Sequence, residues 1–429
     1  MERTDVLIIG AGLAGLAAAR YLRRPWILLE REATPGGLVR SVHCGGSVYD
    51  YTGHLLHLKG SGLEALIEEL LPGGMKPVAR KAGIHSHGRI ILYPFQANFF
   101  PLPRQVVREC LLGYIRAREL EWSEPETFEQ WALASFGEGI CRHFMRPYNE
   151  KLFLRPLDRL TADWVDWSVP RPPLETVVDG ALGTTTEGLG YNPDFLYPKE
   201  GGIEILPQAL ARGLDGIRYG ETVTAVDPAA RVAATASGSE IGFETLVSTM
   251  PLNDLLALLG REDDQEQLWA DGLRWVNVFN LNLTLRREPP WPWQWLYLPE
   301  PEFRCYRVGV SSNISPALAP PGCCTVYAEV SYLPGENIDE KQTRGDILDD
   351  LRRIGLLEQG VEISNEVVLR IEPAYVIHDS FRKDNLAAVH AWLRERRIFS
   401  IGRYGRWEYS GMKTAIKQGI DIAESLNAR

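Results

Sequence analysis

Near the amino end, Gly10, Gly12 and Gly15 stand at GxGxxG spacing within DVLIIGAGLAGLAAARYL. The apolar run before them reads as a short buried strand, and the alanine- and leucine-rich run after them as a helix. In that setting each glycine has its own task. Gly10 permits the sharp turn, Gly12 lets the backbone approach a pyrophosphate, and Gly15 lets the helix pack closely on the strand. The helix N-terminus would offer free N–H groups and the positive end of its dipole to the phosphates. A second strand, WILLE, ends in Glu30. That is about twenty residues on, where an acidic side chain can take both hydroxyls of an adenosine ribose. Strand, turn, helix and acid together predict a dinucleotide site.

A second glycine pair, Gly36 and Gly37 followed by Arg40 in EATPGGLVRS, refines this. It resembles the second phosphate loop of flavoproteins related to glutathione reductase, an element that NAD-binding domains usually lack, and it points to FAD. At the other end of the chain, IFSIGRYGRWEYSGMKTAIKQGIDIAESL reads as a strand, a glycine turn and an amphipathic helix. Such a segment would rejoin the first domain, with Gly402 and Arg403 bringing backbone N–H groups and a guanidinium to the flavin and its phosphates. The run LVSTMP at 246–251 reads as another strand of the same domain.

The elements that must position these residues follow from pattern. Residues 80–100 read as a hairpin with Gly88 in its turn. Residues 103–166 are largely helical, with a helix entered after Pro125 and a break at VPRPPLE. Gly201 and Gly202 precede a further helix, residues 221–250 are strands, 274–333 alternate as sheet, and 341–356 form a helix. The expected fold class is α/β: a Rossmann-like FAD-binding domain of glutathione reductase type, with an inserted antiparallel β-sheet substrate domain and a helical domain. The expected division is 1–75, 196–255 and 385–429 for a discontinuous FAD domain, 76–102 and 256–384 for the β-sheet substrate domain, and 103–195 for the helical substrate and nucleotide domain.

Composition excludes several function classes. The 429 residues are 45% hydrophobic and 24% charged, with a net charge of −10 and no basic block, which argues against general nucleic-acid binding. Six cysteines are scattered without CxxC or metal-ligand spacing, so reduced thiols in a cytoplasmic protein are expected and no metal site. Val6–Leu22 has the apolarity of a signal-peptide core, but Glu2 and Asp5 in its flank and its glycine spacing argue otherwise. No apolar run reaches the roughly 18 residues of a membrane span. The 12 Trp and 16 Tyr favour flat ligands or an aromatic core.

Six further motifs run in order along the chain: GHLLH (53–57), YPFQ (93–96), FMRPYNEK (144–151), YNPDFLYPKEGGI (191–203), WLYLPEPEFRCYRVGVSSNISP (295–316) and GRYGRWEY (402–409). Together they resemble UDP-galactopyranose mutases, the eukaryotic branch above all, and more loosely the flavin amine oxidases and protoporphyrinogen oxidase. The resemblance implies site residues position by position. Tyr93, Gln96, Phe144 and Asn149 match the residues around the nucleotide base, and Asn192 a sugar contact. Tyr297, Arg307, Tyr375 and Tyr409 match the diphosphate holders, Arg307 foremost because a guanidinium contacts phosphate bidentately; a surface ion pair with Glu300 or Glu302 is its plainer alternative. His54 matches a histidine beside the flavin. Ala14, Arg31, Leu38, Val223 and Met412 join Gly10, Gly12, Gly15, Glu30, Gly37, Gly402 and Arg403 as cofactor contacts.

The implied activity is interconversion of pyranose and furanose forms of a UDP-sugar, with reduced FAD acting as nucleophile rather than hydride carrier and no net redox change. NADH or NADPH would be the reductant, a nucleotide sugar the small-molecule partner, and polysaccharide or glycosylated-metabolite synthesis the setting. A homodimer is compatible with the sequence. One departure stands out: Ser168 occupies the place of a second family arginine, with Arg171 and Arg274 as candidate substitutes. Two alternatives stay open, a flavin oxidase of the amine or porphyrinogen type and a nucleotide-sugar-binding flavoprotein without mutase activity.

Overall fold

The computed structural model describes residues 1–165, 169–184, 194–260 and 264–428. Its first sheet grows around the strand Glu2–Ile9, which pairs in parallel with Trp26–Glu30 on one side and Glu240–Ser248 on the other. Ile217–Tyr219 extends the sheet beyond Trp26–Glu30. The far edge of Glu240–Ser248 is shared: Val232–Thr235 pairs antiparallel with its first half and Ile398–Ser400 parallel with its second. The carboxyl-terminal strand thus returns to the amino-terminal domain. The helix Met412–Asn427 then packs on the helix Leu13–Tyr21 at Gly419, where a Cβ would overlap the carbonyl oxygen of Ala14.

A second sheet of seven strands runs in the order Ile363–Val376, Trp275–Leu285, Cys324–Tyr332, Arg307–Val310, Trp295–Tyr297, Ala82–Ser86 and Arg89–Leu92. Its pairings are antiparallel except that of Trp295–Tyr297 with Ala82–Ser86, which is parallel. The sheet is therefore mixed rather than purely antiparallel. The hairpin at 82–92 turns at His87 and Gly88, both left-handed.

Helices Arg104–Glu119, Phe128–Ile140 and Arg146–Phe153 form a third layer. The second starts at a capping box, with the Thr127 hydroxyl accepting from the Gln130 N–H and the Gln130 side chain reaching back. A π-helical turn, Cys141–Met145, joins it to the third. This layer shares an apolar core with the second sheet through Val276, Val278, Tyr306 and Ile371. Helices Leu252–Leu258, Asp264–Gly272 and Ser380–Glu395 bury their apolar sides with Leu7, Ile27 and Leu246 of the first sheet. The same core takes in Trp275 and Val376 at one end of the second sheet. All six cysteines are unpaired.

Candidate active site

A cavity of about 1120 Å³ runs between the two sheets. One end is made by glycine turns. Gly10 has φ +97, and a Cβ on Gly15 would overlap the carbonyl oxygen of Gly10. Gly12 is different: a Cβ there would meet nothing within 4 Å, so its backbone faces open space. Gly36 donates its N–H to Ala11 O at 2.8 Å, and a Cβ on Gly37 would stand 3.4 Å from Gly12 Cα, so the two glycine loops lie side by side. Arg40 is held over them by Gly37 O at 2.8 Å and by Glu32 at 3.0 Å.

Glu30 is buried, and its carboxylate accepts the N–H groups of Ala11 at 2.6 Å and Glu32 at 2.9 Å. It braces the glycine turn as well as facing the cavity, and its remaining lone pairs are available to hydroxyls. Arg31, Val223, Asp254 and Ala14 line the cavity too, and so does Leu38, which packs with the cluster holding Tyr297, Tyr375 and Tyr409. From the returning C-terminal segment, Gly402 has φ +80, and its Cβ would sit 3.2 Å from Ala14 Cβ. Met412 also lines the cavity. Gly15 stays behind the wall, where it sets the approach of helix to strand.

The other end is built from side chains. Sheet register places Tyr297 opposite Arg307 and Arg307 opposite Glu329, so all three project to one face. Arg307 donates to both oxygens of Glu329, at 2.7 and 2.8 Å, and Glu329 is fully buried. Its partner is therefore neither Glu300 nor Glu302; Glu300 is taken by His85 at 2.7 Å. Burial alone would lower the Arg307 pKa, and Glu329 outweighs it, so the guanidinium stays charged.

Arg403 donates to Ser410 O at 2.7 Å and lies 4.9 Å from the Tyr409 ring and 5.6 Å from that of Tyr375. Those two rings stack at 6.2 Å and 26°. Burial pushes the Tyr375 hydroxyl up to about 12, which leaves it a neutral donor. His54 follows the left-handed Thr52, and burial, with help from Arg403 and Arg307, pulls its pKa down to about 4. Its imidazole is neutral near pH 7, and its Nδ1 has no hydrogen-bond partner.

The residues expected around a nucleotide base fall elsewhere. Tyr93 backs Tyr297 at 5.5 Å between ring centres without lining the cavity. Gln96 is 1% exposed and donates to Pro170 O at 2.6 Å. Asn149 donates to Met145 O at 2.7 Å, at the end of the π-helical turn before its helix. Phe144 is stacked between Phe95, at 5.2 Å, and Tyr148, at 5.5 Å. All three belong to the helical core. Asn192 and Ser168 lie outside the described residues. Arg171 stands 5.8 Å from the Trp131 ring and Arg274 bonds to the carbonyls of Asp271 and Leu273, so neither lines the cavity.

Several lining residues went unpredicted: Arg80, His57, Glu372 and Lys413, with Glu329 behind Arg307. Glu329 had a signal, being a lone acid in the apolar strand CTVYAEVSY, where a charge needs a partner. Arg80 and Lys413 had none, since a cation before a hairpin or opening a helix is ordinary.

Comparison with known proteins places this cavity. The model of flavin-containing amine oxidoreductases matches residues 13–427. The chain belongs to that family. FAD, the family's cofactor, fits what the cavity offers: an open Gly12 backbone beside Gly37, the Glu30 carboxylate next to them, and a cationic aromatic end opposite. A solved structure of reduced UDP-galactopyranose mutase is similar with a TM-score of 0.94 and 28% identity, covering 99% of this chain and 96% of that one. A putative protoporphyrinogen oxidase from Exiguobacterium sp. 255-15 shares the fold, with a TM-score of 0.73 and 16% identity over 100% of this chain and 99% of that one. Among curated proteins, lysine-specific histone demethylase 1 homolog 2 of Oryza sativa subsp. japonica is 56% identical over 45 residues, a match spanning 10% of this chain and 6% of that protein. Among the described residues no helix is long and apolar enough to cross a membrane.

Proposed function

We propose that this flavoprotein is a nucleotide-sugar mutase of the UDP-galactopyranose/UDP-galactofuranose type, active with reduced FAD. The observation that carries this is the charge of the non-glycine end. Arg307, Arg403 and Arg80 line it together with Tyr297, Tyr375 and Tyr409, a set suited to an anionic diphosphate next to a ring system. The similarity to reduced UDP-galactopyranose mutase over almost the whole of both chains supports it.

FAD, when bound and reduced, supplies the nucleophilic chemistry. The chain's own residues hold and orient. Arg307, fixed by Glu329, grips the diphosphate, and the neutral tyrosine hydroxyls donate to its oxygens. His54, neutral and with an unpartnered ring nitrogen, is placed to accept or pass a proton. Arg80 stands 4.8 Å from the Tyr93 ring at the same end and offers a guanidinium where Arg171 and Arg274 do not reach. Tyr93, Gln96, Phe144 and Asn149 would contact a base only after the stack on Phe144 opens. A nicotinamide reductant and a cytoplasmic setting complete the proposal.

An amine-oxidase reading is disfavoured by the same geometry. The tyrosine pair that would cage a cationic amine is already faced by Arg403, and a second cation there would be repelled. The test is product analysis. Purified protein is incubated with UDP-galactopyranose or UDP-galactofuranose, oxidised and dithionite-reduced, and the nucleotide sugars are separated. Interconversion in the reduced sample alone is expected. No conversion and no effect of UDP on the flavin spectrum would overturn the proposal.

A further inference from the structure

Tyr297 and Arg307 are the two feet of a single arch. Residues 298–306 leave the sheet after the strand Trp295–Tyr297 and re-enter it at the strand Arg307–Val310. Anything that fixes this arch fixes the separation and aim of a phenol and a guanidinium that both line the cavity.

Lys151, on the helix Arg146–Phe153, reaches into the arch. Its Nζ donates to three backbone carbonyls, Leu298 O at 2.7 Å, Glu300 O at 2.5 Å and Cys305 O at 3.3 Å. These oxygens come from both limbs. Three acceptors converging on one point match the three donors of an ammonium and no other side chain. No carboxylate within ion-pair distance of Lys151 is seen among the described residues, so the cation is spent on the backbone. Burial opposes this charge and pushes its pKa down to about 8. The carboxylates around it are occupied or more distant. Glu300 accepts from His85 and the His87 N–H, and Asp350, on the helix Glu340–Arg353, accepts the Cys305 N–H at 2.8 Å. Glu302 and the Cys305 thiol act on it only through space. A half-buried cation and a buried carboxylate, from elements on two sides, are thus both committed to main-chain groups of one short arch.

The helix that carries Lys151 also carries Tyr148, whose ring meets that of Tyr297 edge-on at 5.1 Å. We propose that Lys151 is a positioning residue for anion binding: its ammonium pins the arch between Tyr297 and Arg307 to the helical layer and so sets the aim of both side chains. Lys151 touches neither substrate nor cofactor and acts through the backbone it holds. The nucleotide-sugar reading enters only in the choice of UDP as probe.

The experiment compares the FAD-loaded protein with Lys151→Met and Lys151→Arg. UDP affinity is read from the flavin spectrum, and hydrogen exchange is read on peptides covering 298–306. Lys151→Met is expected to weaken UDP binding by about 10- to 100-fold, the range for displaced binding groups. It should speed exchange in the arch and leave FAD content and the UDP-free spectrum unchanged. Lys151→Arg, with a planar fork in place of three rotatable donors, should fall between, at roughly threefold. If Lys151→Met does not retain FAD, Lys151→Arg decides: wild-type affinity and exchange would overturn the proposal. A lower melting temperature with UDP affinity unchanged would also overturn it, leaving Lys151 a purely structural group. If the wild type gives no response to UDP, the nucleotide-sugar reading falls, and the exchange data alone judge the arch. Unchanged exchange in Lys151→Met would then sink the proposal.

Discussion

The two ends of the cavity are made of different material. The cofactor end is backbone: glycine turns pressed together at Gly10, Gly12, Gly36 and Gly37, with one carboxylate, Glu30, spent on two N–H groups. The opposite end, where we propose that the anion binds, is side chain: a guanidinium clamped by Glu329, a second guanidinium among tyrosines, and a neutral histidine. A backbone-built surface has little freedom to adapt, because a methyl added at Gly15 or Gly36 meets main-chain oxygens, whereas Gly12 has open space before it. A side-chain-built surface can be retuned residue by residue while the fold persists. The cofactor end should therefore fail all at once under substitution, and the anion end by degrees.

The largest effect is expected at Gly15. Replacement by Val drives a branched side chain into the Gly10 carbonyl; overpacking of this kind costs about 1–3 kcal/mol or more. The variant should lose FAD outright, as read from flavin absorbance after gel filtration. Retention of stoichiometric FAD would break the contrast.

Arg307→Ala comes next. It should weaken UDP binding to the FAD-loaded protein by about 30- to 100-fold, since a charge-assisted bidentate contact is worth about 2–3 kcal/mol, and it should also lower stability by about 3 kcal/mol because the buried Glu329 carboxylate loses its partner. An unchanged UDP titration would remove Arg307 from the anion site. Glu329→Ala should likewise act on stability, by about 3 kcal/mol, because it leaves a largely buried guanidinium without its partner. Thermal unfolding in the presence of excess FAD measures it.

A smaller effect is expected from pH. The folded His54 binds its proton less tightly than an unfolded histidine, with a pKa of about 4 against 6.5. Its contribution to stability is complete above about pH 6.5 and is lost as pH falls through about 4. The buried His390, also lowered to about 4, acts in the same direction. Denaturant unfolding between pH 7 and 4 should show the loss, and His54→Gln should flatten part of it. An unaltered slope in that variant would mean that His54 is hydrated rather than buried in solution.

Smallest of all should be Tyr375→Phe. It keeps the ring stacked on Tyr409 and removes one hydroxyl, so UDP affinity should drop by roughly 5- to 10-fold, about 1 kcal/mol for a single neutral hydrogen bond.

Much of the cofactor end was legible because its determinants are local. GxGxxG, a strand before it, a helix after it and Glu30 at the end of the next strand all follow from spacing along the chain. The hairpin at 82–92 and the helix entered at Thr127 were legible for the same reason, from turn and capping residues. The partners of the proposed base-reading set were not: the amides of Gln96 and Asn149 suit a uracil edge as well as they suit Pro170 O and Met145 O, their partners in this structure. Which partner an amide finds depends on residues far away in sequence.

By itself, then, the sequence carried the strand, glycine turn and helix of its first thirty residues and the returning strand and helix of its last thirty, both of which line the cavity. Those are turn geometries and strand ends, encoded within a few residues of where they act. Tertiary structure alone decided what surrounds the other end. Arg307 is expected from the sequence as a phosphate ligand, with a surface ion pair to Glu300 or Glu302 as the alternative, yet strand register sets it against Glu329, twenty-two residues on, a partner the sequence did not name. Lys151 reads as one more helix lysine, yet the packing of the helix on the sheet turns it into the anchor of the arch that carries Tyr297 and Arg307. Burial and partnership are properties of the assembled layers, and no spacing along the chain encodes them.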